Sequence, residues 1–300
     1  MKKNLLVAVG IAVAMSTTAQ IVKIDSLTPW KKSFKAGVNL NQASFSSNWK
    51  AGGVNSLGFT TLLNFKANYK KGKVSWDNEL DLLYGMVNNQ GQGYRKTLDR
   101  IYFDTKYGRQ LNDKWSMFVA VNFLTQFAKG YKYVKGKVDT DSAVLISNFL
   151  APAFVTTSLG FQYQPSPAFK MRISPFAPRI TIVRNSENYS AVDAVAPYGV
   201  KIGETVRYEW LAAQLLAEFN KDIFPNVNLK WRYLLFANYS TLSFKNIDHR
   251  MDIGLTAKVN KFINVSLSSI VLYDSDQDTD VQLSQAFSLG VLYTFQNFKP

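Results

Sequence analysis

The chain has 300 residues, no cysteine, 14% aromatic residues and a formal net charge of +14. Disulfides and cysteine-ligated zinc are excluded, and a single histidine, His249, excludes zinc held by several histidines. A basic balance is one mark of a nucleic-acid binder, but no basic stripe or basic helix stands out, and the first segment marks the chain for export.

Met1–Ala19 reads as a secretory signal, with Lys2 and Lys3 before the apolar run Leu5–Met15 and the small residues Thr17-Thr18-Ala19 at a cleavage site. The run is too short to span a bilayer as a helix, which takes about 20 residues, and no later stretch is long and apolar enough. Residues 20–33 lack periodicity and are expected to form a periplasmic lead-in. From Phe34 to Phe298 the chain reads as strand-length segments with a period of two.

In the first segment Phe34, Ala36, Val38 and Leu40 alternate with Lys35, Gly37, Asn39 and Asn41. Further on, Trp76, Leu80, Leu82 and Tyr84 alternate with Asp77, Glu79, Asp81 and Gly85. Trp115, Met117, Val119, Val121 and Phe123 oppose Ser116, Ala120 and Asn122. Val227, Leu229, Trp231, Tyr233 and Leu235 oppose Asn228, Lys230 and Arg232. Met251, Ile253, Leu255, Ala257 and Val259 oppose Arg250, Asp252, Gly254 and Lys258. The last segment sets Phe287, Leu289, Val291, Tyr293 and Phe295 against Ser288, Gly290 and Thr294. Phe169–Arg184 is the irregular segment: Pro175 and Pro178 predict a bulge or break there.

The connections alternate in length. Tight turns are expected at Lys70–Lys73, Gln110–Lys114, Gln164–Ala168, Asn220–Asn226 and Asn260–Phe262. Roomy polar loops are expected at Phe45–Asn55, Met86–Thr97, Ala128–Pro152, Asn185–Gly203, Tyr239–Asn246 and Asp274–Asp280. One apolar face, aromatic residues beside the tight turns and this asymmetry are the marks of an outer-membrane barrel with short periplasmic turns and longer extracellular loops. The expected fold is an all-β, antiparallel up-and-down transmembrane barrel of about 12 strands with both termini in the periplasm.

The inward phase then carries charge of both signs. Asp77, Glu79, Asp81, Asp104, Glu218, Asp248 and Asp252 face Lys66, Arg100, Lys106, Lys170, Arg172, Lys230, Arg232, Arg250 and Lys258. Buried charges pair or stay solvated. Paired across the lumen, they would shut the barrel into a stiff scaffold; solvated, they would line a narrow channel whose charge rings set ion preference.

Chemistry-bearing motifs are sparse. His249 takes the outward phase near an extracellular strand end, where a hydrolase would need a serine such as Ser240, Ser243 or Ser268 within reach. No motif selects one, so the expectation is a barrel without catalysis, with an outer-membrane hydrolase as the alternative. Asp274, Asp276, Asp278 and Asp280 alternate as a weak Ca²⁺ candidate, but Thr279 and Gln285 stand where the calcium-loop Gly and Glu are needed. Lys129, Lys132, Lys135 and Lys137, interleaved with Tyr131 and Tyr133, suit the phosphates of lipopolysaccharide. Expected partners are outer-membrane lipid, lipopolysaccharide and other envelope proteins, with no nucleic acid.

A group of motifs carries a family resemblance: Asn48-Trp49-Lys50-Ala51-Gly52-Gly53, Trp76-Asp77-Asn78-Glu79-Leu80, Tyr84-Gly85, Arg95-Lys96-Thr97-Leu98-Asp99-Arg100, Thr125-Gln126-Phe127-Ala128-Lys129-Gly130-Tyr131 and Gln282-Leu283-Ser284-Gln285. In these the chain resembles a family of uncharacterised outer-membrane β-barrels of the Bacteroidota, a domain of unknown function, and Ala19-Gln20 is similar to that phylum's cleavage style. The resemblance implies a barrel in the outer membrane and no activity. Trp49, Gly52, Gly53, Arg95 and Asp99 fall in or beside expected outer loops, with Gly52-Gly53 suited to a positive-φ turn and Arg95 to pairing with Asp99.

Overall fold

The fold is taken from a computed structural model that describes residues 28–44, 54–135, 141–260 and 263–298. The segment expected to be an export signal, together with Trp49, Gly52, Gly53 and Lys137, lies outside the described residues.

The strands are β1 (Trp30–Ala43), β2 (Ser56–Lys71), β3 (Val74–Asn89), β4 (Gly93–Gln110), β5 (Trp115–Thr125), β6 (Gly130–Lys135), β7 (Asp141–Ser147), β8 (Ala153–Tyr163), β9 (Phe169–Phe176), β10 (Arg179–Ile182), β11 (Val206–Glu209), β12 (Ala212–Phe224), β13 (Val227–Asn238), β14 (Ile247–Lys258), β15 (Ile263–Asp274) and β16 (Asp278–Gln296). β6 and β7 form a separate hairpin, and the other 14 make one sheet. Each barrel strand pairs antiparallel with its neighbours, and β1 closes on β16 from Ser33↔Gln296 to Leu40↔Leu289. β9 with β10, and β11 with β12, are interrupted single staves, so the wall is a closed barrel of 12 staves. Closure pairs β1 with β16 over the lower part of the wall, so the sheet has no edge strand there.

The two faces separate by side chain. Phe287 is 69% exposed on the outside while its neighbour Ser288 is 8% exposed on the inside. Val38, Leu40, Met117, Val119, Leu283 and Leu289 are likewise exposed, and Asn64, Asp81, Asp104, Lys106, Arg172 and Glu218 are buried within. Aromatic rings gather on the wall towards the tight-turn end. Trp30 lies 5.3 Å from Tyr69 and 5.8 Å from Trp76, Trp115 lies 4.9 Å from Tyr163, and Phe219 stacks on Trp231 at 5.9 Å.

The irregular stave breaks at Ala177-Pro178, between β9 and β10, and its partner breaks opposite at Trp210-Leu211, between β12 and β11. A proline has no N–H for the ladder, and the amide of Thr157 donates to Pro178 O while Ala177 N donates to Ala212 O, which bridges the gap. The register with β8 slips between Leu159 and Phe161. A Cβ on Gly160, the residue between them, would sit 2.0 Å from Ile173 O, so only glycine fits where the broken stave presses in.

Several connections differ from the expectation. β1 starts at Trp30, ahead of Phe34, and pairs there with Tyr69. The polar stretch Met86–Thr97 is a tight hairpin rather than a roomy loop: β3 runs to Asn89, β4 starts at Gly93, and Gly91 and Gly93 take φ of 85° and 69°. The connection at Asp274–Asp280 also closes through three residues, and β12 extends to Phe224 so that only Pro225 and Asn226 turn. The cause is shared. β4 has 18 residues and β16 has 19, well beyond the roughly 9–11 a tilted strand needs to cross a bilayer. Where the wall rises past the apolar zone it stays paired but turns polar, and polarity alone resembles a loop.

Candidate functional site

The site is the interior of the barrel, built by alternate residues of every stave. In the half towards the tight turns it is charged. Lys106 Nζ lies 2.9 Å from Asp77 and 2.6 Å from Gln162 Oε1. Lys66 lies 3.1 Å from Glu79, and Lys170 2.9 Å from Glu218. Arg172 of β9 donates to both carboxylate oxygens of Asp104 of β4, at 3.0–3.1 Å. Arg232 of β13 donates to Glu218 of the adjacent stave at 2.8 Å and reaches Glu79 of β3 at 3.4 Å, while its guanidinium lies 4.9 Å from the ring of Tyr102. Arg100 of β4 pairs with Asp81 and approaches Asp252 of β14 to 3.8 Å; Asp252 also takes both ends of Arg250.

β3 and β13, and β4 and β14, stand opposite each other in the ring, and β4 and β9 are separated by β5 and β8, so Arg172–Asp104, Arg232–Glu79 and Arg100–Asp252 are chords, not neighbour contacts. Three chords at mid-height make a cross-braced belt. Arg172 and Asp104 are 7% and 5% exposed; a charge that dry is tolerated only with a partner in good geometry.

Above the belt the inward phase turns apolar on β3, β4, β12 and β13, while β14 keeps Arg250 and Asp248. A cavity of about 280 Å³ opens there, with Leu83, Leu124, Phe154, Leu216, Leu234 and Leu272 among its walls and Arg100, Tyr102, Arg232 and Asp252 at its base. At its upper edge Arg179 pairs with Asp248 at 2.8 Å, its guanidinium 3.2 Å from the ring centre of Phe236, and Gln277 donates to Asp274 at 2.6 Å.

The loop between β10 and β11 spans the mouth. Its buried cluster of Val183, Tyr189, Tyr198 and Val200 packs with Ala151 and Leu145. Tyr198 donates to Ile146 O of β7 at 2.5 Å, and burial pushes its phenol up from the ordinary value. Next to it Gly199, at φ 75°, lies against the pair that Arg207 of β11 forms with Asp276 of the β15–β16 turn; a Cβ there would sit 1.7 Å from the Arg207 guanidinium. Loop, hairpin and turn are thus tied over one opening.

The loop-motif residues form an anchor. Asp99 pairs with Lys96 at 2.9 Å and accepts the amides of Phe127 and Ala128 at 2.7 and 2.9 Å. Lys96 also donates to Gln126 Oε1 and Ala128 O, and Gln126 Oε1 accepts from Ser147 as well. Thr125 donates to Pro152 O and accepts the amide of Leu150. Arg95, expected beside Asp99, instead lies with its guanidinium 3.9 Å from the ring centre of Tyr133. The residues carrying the family resemblance therefore clamp the ends of the long β5–β8 connection.

Other candidates fall apart as sites. Asp274 turns inward and binds the Asp276 amide and Gln277, Asp276 pairs with Arg207, and Asp278 accepts the amide of Asp280. The four carboxylates do not converge, and no cluster suited to a metal ion occurs among the described residues. His249 Nδ1 lies 2.7 Å from Tyr233 Oη, a tyrosine where a hydrolase would place serine, and the ring sits between Tyr233 and Tyr273. Ser268 donates to Ala286 O. Lys230 is inward, near Glu79.

Sequence reasoning missed the apolar storey, Arg179 and Arg207. Arg179 was readable only by carrying the inward phase across the break at Pro178.

A family profile described as "Protein of unknown function (DUF3078)" matches residues 40–131. That span holds β2 to β5 with the clamp residues Lys96, Asp99 and Gln126. No curated protein matches the chain. Among solved structures, an outer membrane channel of Pseudomonas putida F1 is similar with 8% identity and a TM-score of 0.41, over 92% of this chain and 98% of that one. The NanC porin is similar with 10% identity and a TM-score of 0.38, over 89% and 100%. The translocator domain of the autotransporter NalP of Neisseria meningitidis has 10% identity and a TM-score of 0.35, over 89% of each chain.

Proposed function

We propose that this protein is a barrel of the outer membrane whose lumen is shut, serving as a structural or accessory subunit of an envelope complex. The apolar exterior of a closed 12-stave wall, with charge confined within, supports residence in a bilayer. The tight turns and both chain ends then lie in the periplasm, and the long loops outside, where exposed Lys129 and Lys132 favour contact with lipopolysaccharide.

The observation that carries the shut lumen is the set of chords Arg172–Asp104, Arg232–Glu79 and Arg100–Asp252. A second reading, a narrow solute channel, draws on the last of these: at 3.8 Å it is an ion pair without a hydrogen bond and the weakest brace. Planar-bilayer recording separates the two. The unmodified barrel is expected to be electrically silent, and Arg232→Ala to give current steps. Steady ohmic current through the unmodified barrel would overturn the shut lumen. Stable proteins co-purifying in mild detergent would support the accessory role.

A further inference from the structure

The two storeys of the lumen have opposite chemistry. Barrel interiors are ordinarily polar because water fills them. Here β3 passes from Asp81 to Leu83, β4 from Arg100 to Leu98, β12 from Glu218 to Leu216 and β13 from Arg232 to Leu234, all inward and all in the same direction along the barrel axis. A change made together on two facing pairs of staves builds a chamber with ion pairs for a base and leucines for most of its walls, β14 contributing the engaged charges of Arg250 and Asp248. Apolar walls facing water cost hydration free energy; the cost falls away when an apolar body fills the space.

The lining also fixes the charge of an occupant. Four arginines (Arg100, Arg179, Arg232, Arg250) are matched by four aspartates (Asp99, Asp248, Asp252, Asp274). Arg179 and Arg250 hold Asp248 and Asp252 at hydrogen-bond distance, Arg100 and Arg232 hold Asp81 and Glu218 of the belt, Asp99 holds Lys96, and Asp274 accepts from Gln277 and the Asp276 amide, so those charges are already engaged. An ionised ligand would enter a largely apolar chamber without a counter-charge, which is costly. At about 280 Å³ the space lies just under the roughly 300–1,000 Å³ of drug-sized pockets. Neutral polar groups that could meet a ligand also line it, Asn122, Thr156 and Gln214 among them.

We infer that the upper storey of the lumen binds a small, uncharged, mainly apolar molecule carrying one or two hydrogen-bonding groups. The inference rests on the barrel reading for the side of entry, which is the loop side because the belt blocks the other.

The chain has no cysteine, so Leu234→Cys and Leu272→Cys each supply a single thiol in the chamber, and Ser266→Cys supplies a control in the lower lumen. Each purified variant is treated with uncharged methyl methanethiosulfonate and with its cationic and anionic analogues, with indole or n-hexanol as the competing probe. The uncharged reagent is expected to modify both chamber thiols about tenfold faster than either charged one, a difference of about 1.4 kcal/mol. Indole or hexanol is expected to slow that modification in a saturable way and leave Ser266→Cys unaffected. Equal rates for neutral and charged reagents, or no slowing by either probe at both positions, would overturn the site. A barrel that conducts yet shows protected thiols would sink the shut lumen alone; a silent barrel with unprotected thiols would sink the binding site alone.

Discussion

The charged lower lumen and the leucine-walled upper lumen are lined by the same staves, yet they are stabilised in different ways. Below, side chains are held by ion-pair partners, some on the adjacent stave and some across the lumen, so the bracing positions depend on others far away in sequence: Arg172 on Asp104, Arg232 on Glu79. Above, each leucine touches its neighbours on the wall and fronts a cavity on its other side. The lower half is specified pairwise and tolerates truncation poorly. The upper half is specified by bulk and should give way more gently.

Arg172→Ala gives the largest expected effect. It strands Asp104, 5% exposed, and losing one partner of a buried pair costs about 3–5 kcal/mol. Unfolding by denaturant in detergent should show it. The double variant Arg172→Met with Asp104→Leu should recover most of the loss, because removing both charges leaves nothing buried and unpaired. A single variant as stable as the parent would erase the contrast between the storeys. Leu234→Ala should cost less, about 1–2 kcal/mol against the roughly 2–5 typical of a filled core, because one side of Leu234 already fronts open space. A cost above that of Arg172→Ala would mean that the upper storey is a packed core.

The same contrast explains what could be read from sequence. Where the lumen is charged, the two faces differ, and Asp77, Glu79 and Asp81 stand out between Trp76, Leu80 and Leu82. The alternation gave the stave and its facing. Higher up both faces are apolar, and the phase vanishes in Leu82-Leu83-Tyr84, Tyr233-Leu234-Leu235-Phe236 and Ile270-Val271-Leu272. A two-sided apolar strand has no period to read, so the chamber stayed hidden although it uses ordinary inward positions. The chords are hidden for another reason: which acid meets which base depends on ring order and stagger, which no local pattern encodes. Asp99 shows the limit most plainly: Lys96 is close in sequence, but the amides of Phe127 and Ala128 become its neighbours only once β4 lies beside β5.

That clamp belongs to neither storey and tests whether the wall and its loops are separate. Asp99→Asn keeps the shape but removes the charge that strengthens three bonds, and should loosen the β5–β8 connection by about 1–2 kcal/mol. Faster tryptic cleavage at exposed Lys129 and Lys132, with the barrel's own unfolding unchanged, is the expected outcome. A matching loss in the barrel would show that the loop and the wall unfold as one.

The smallest effect is in the loop over the mouth. Asp193 accepts the amides of Val195 and Ala196, both at 2.7 Å, and these bonds hold its carboxyl below the ordinary value. A folded value below the unfolded one means that the turn is supported at every pH above the ordinary carboxylate range. The support fades as pH falls through the folded value. Hydrogen exchange at Val195 and Ala196, taken relative to the Ile202 amide bonded to Val195 O, should therefore rise on acidification in the parent. In Asp193→Asn, whose side-chain oxygen still accepts but does not titrate, the ratio should stay flat. A parallel rise in both proteins would place the acid sensitivity in the wall beneath, where the buried carboxylates of the charged storey lie, and not in the loop.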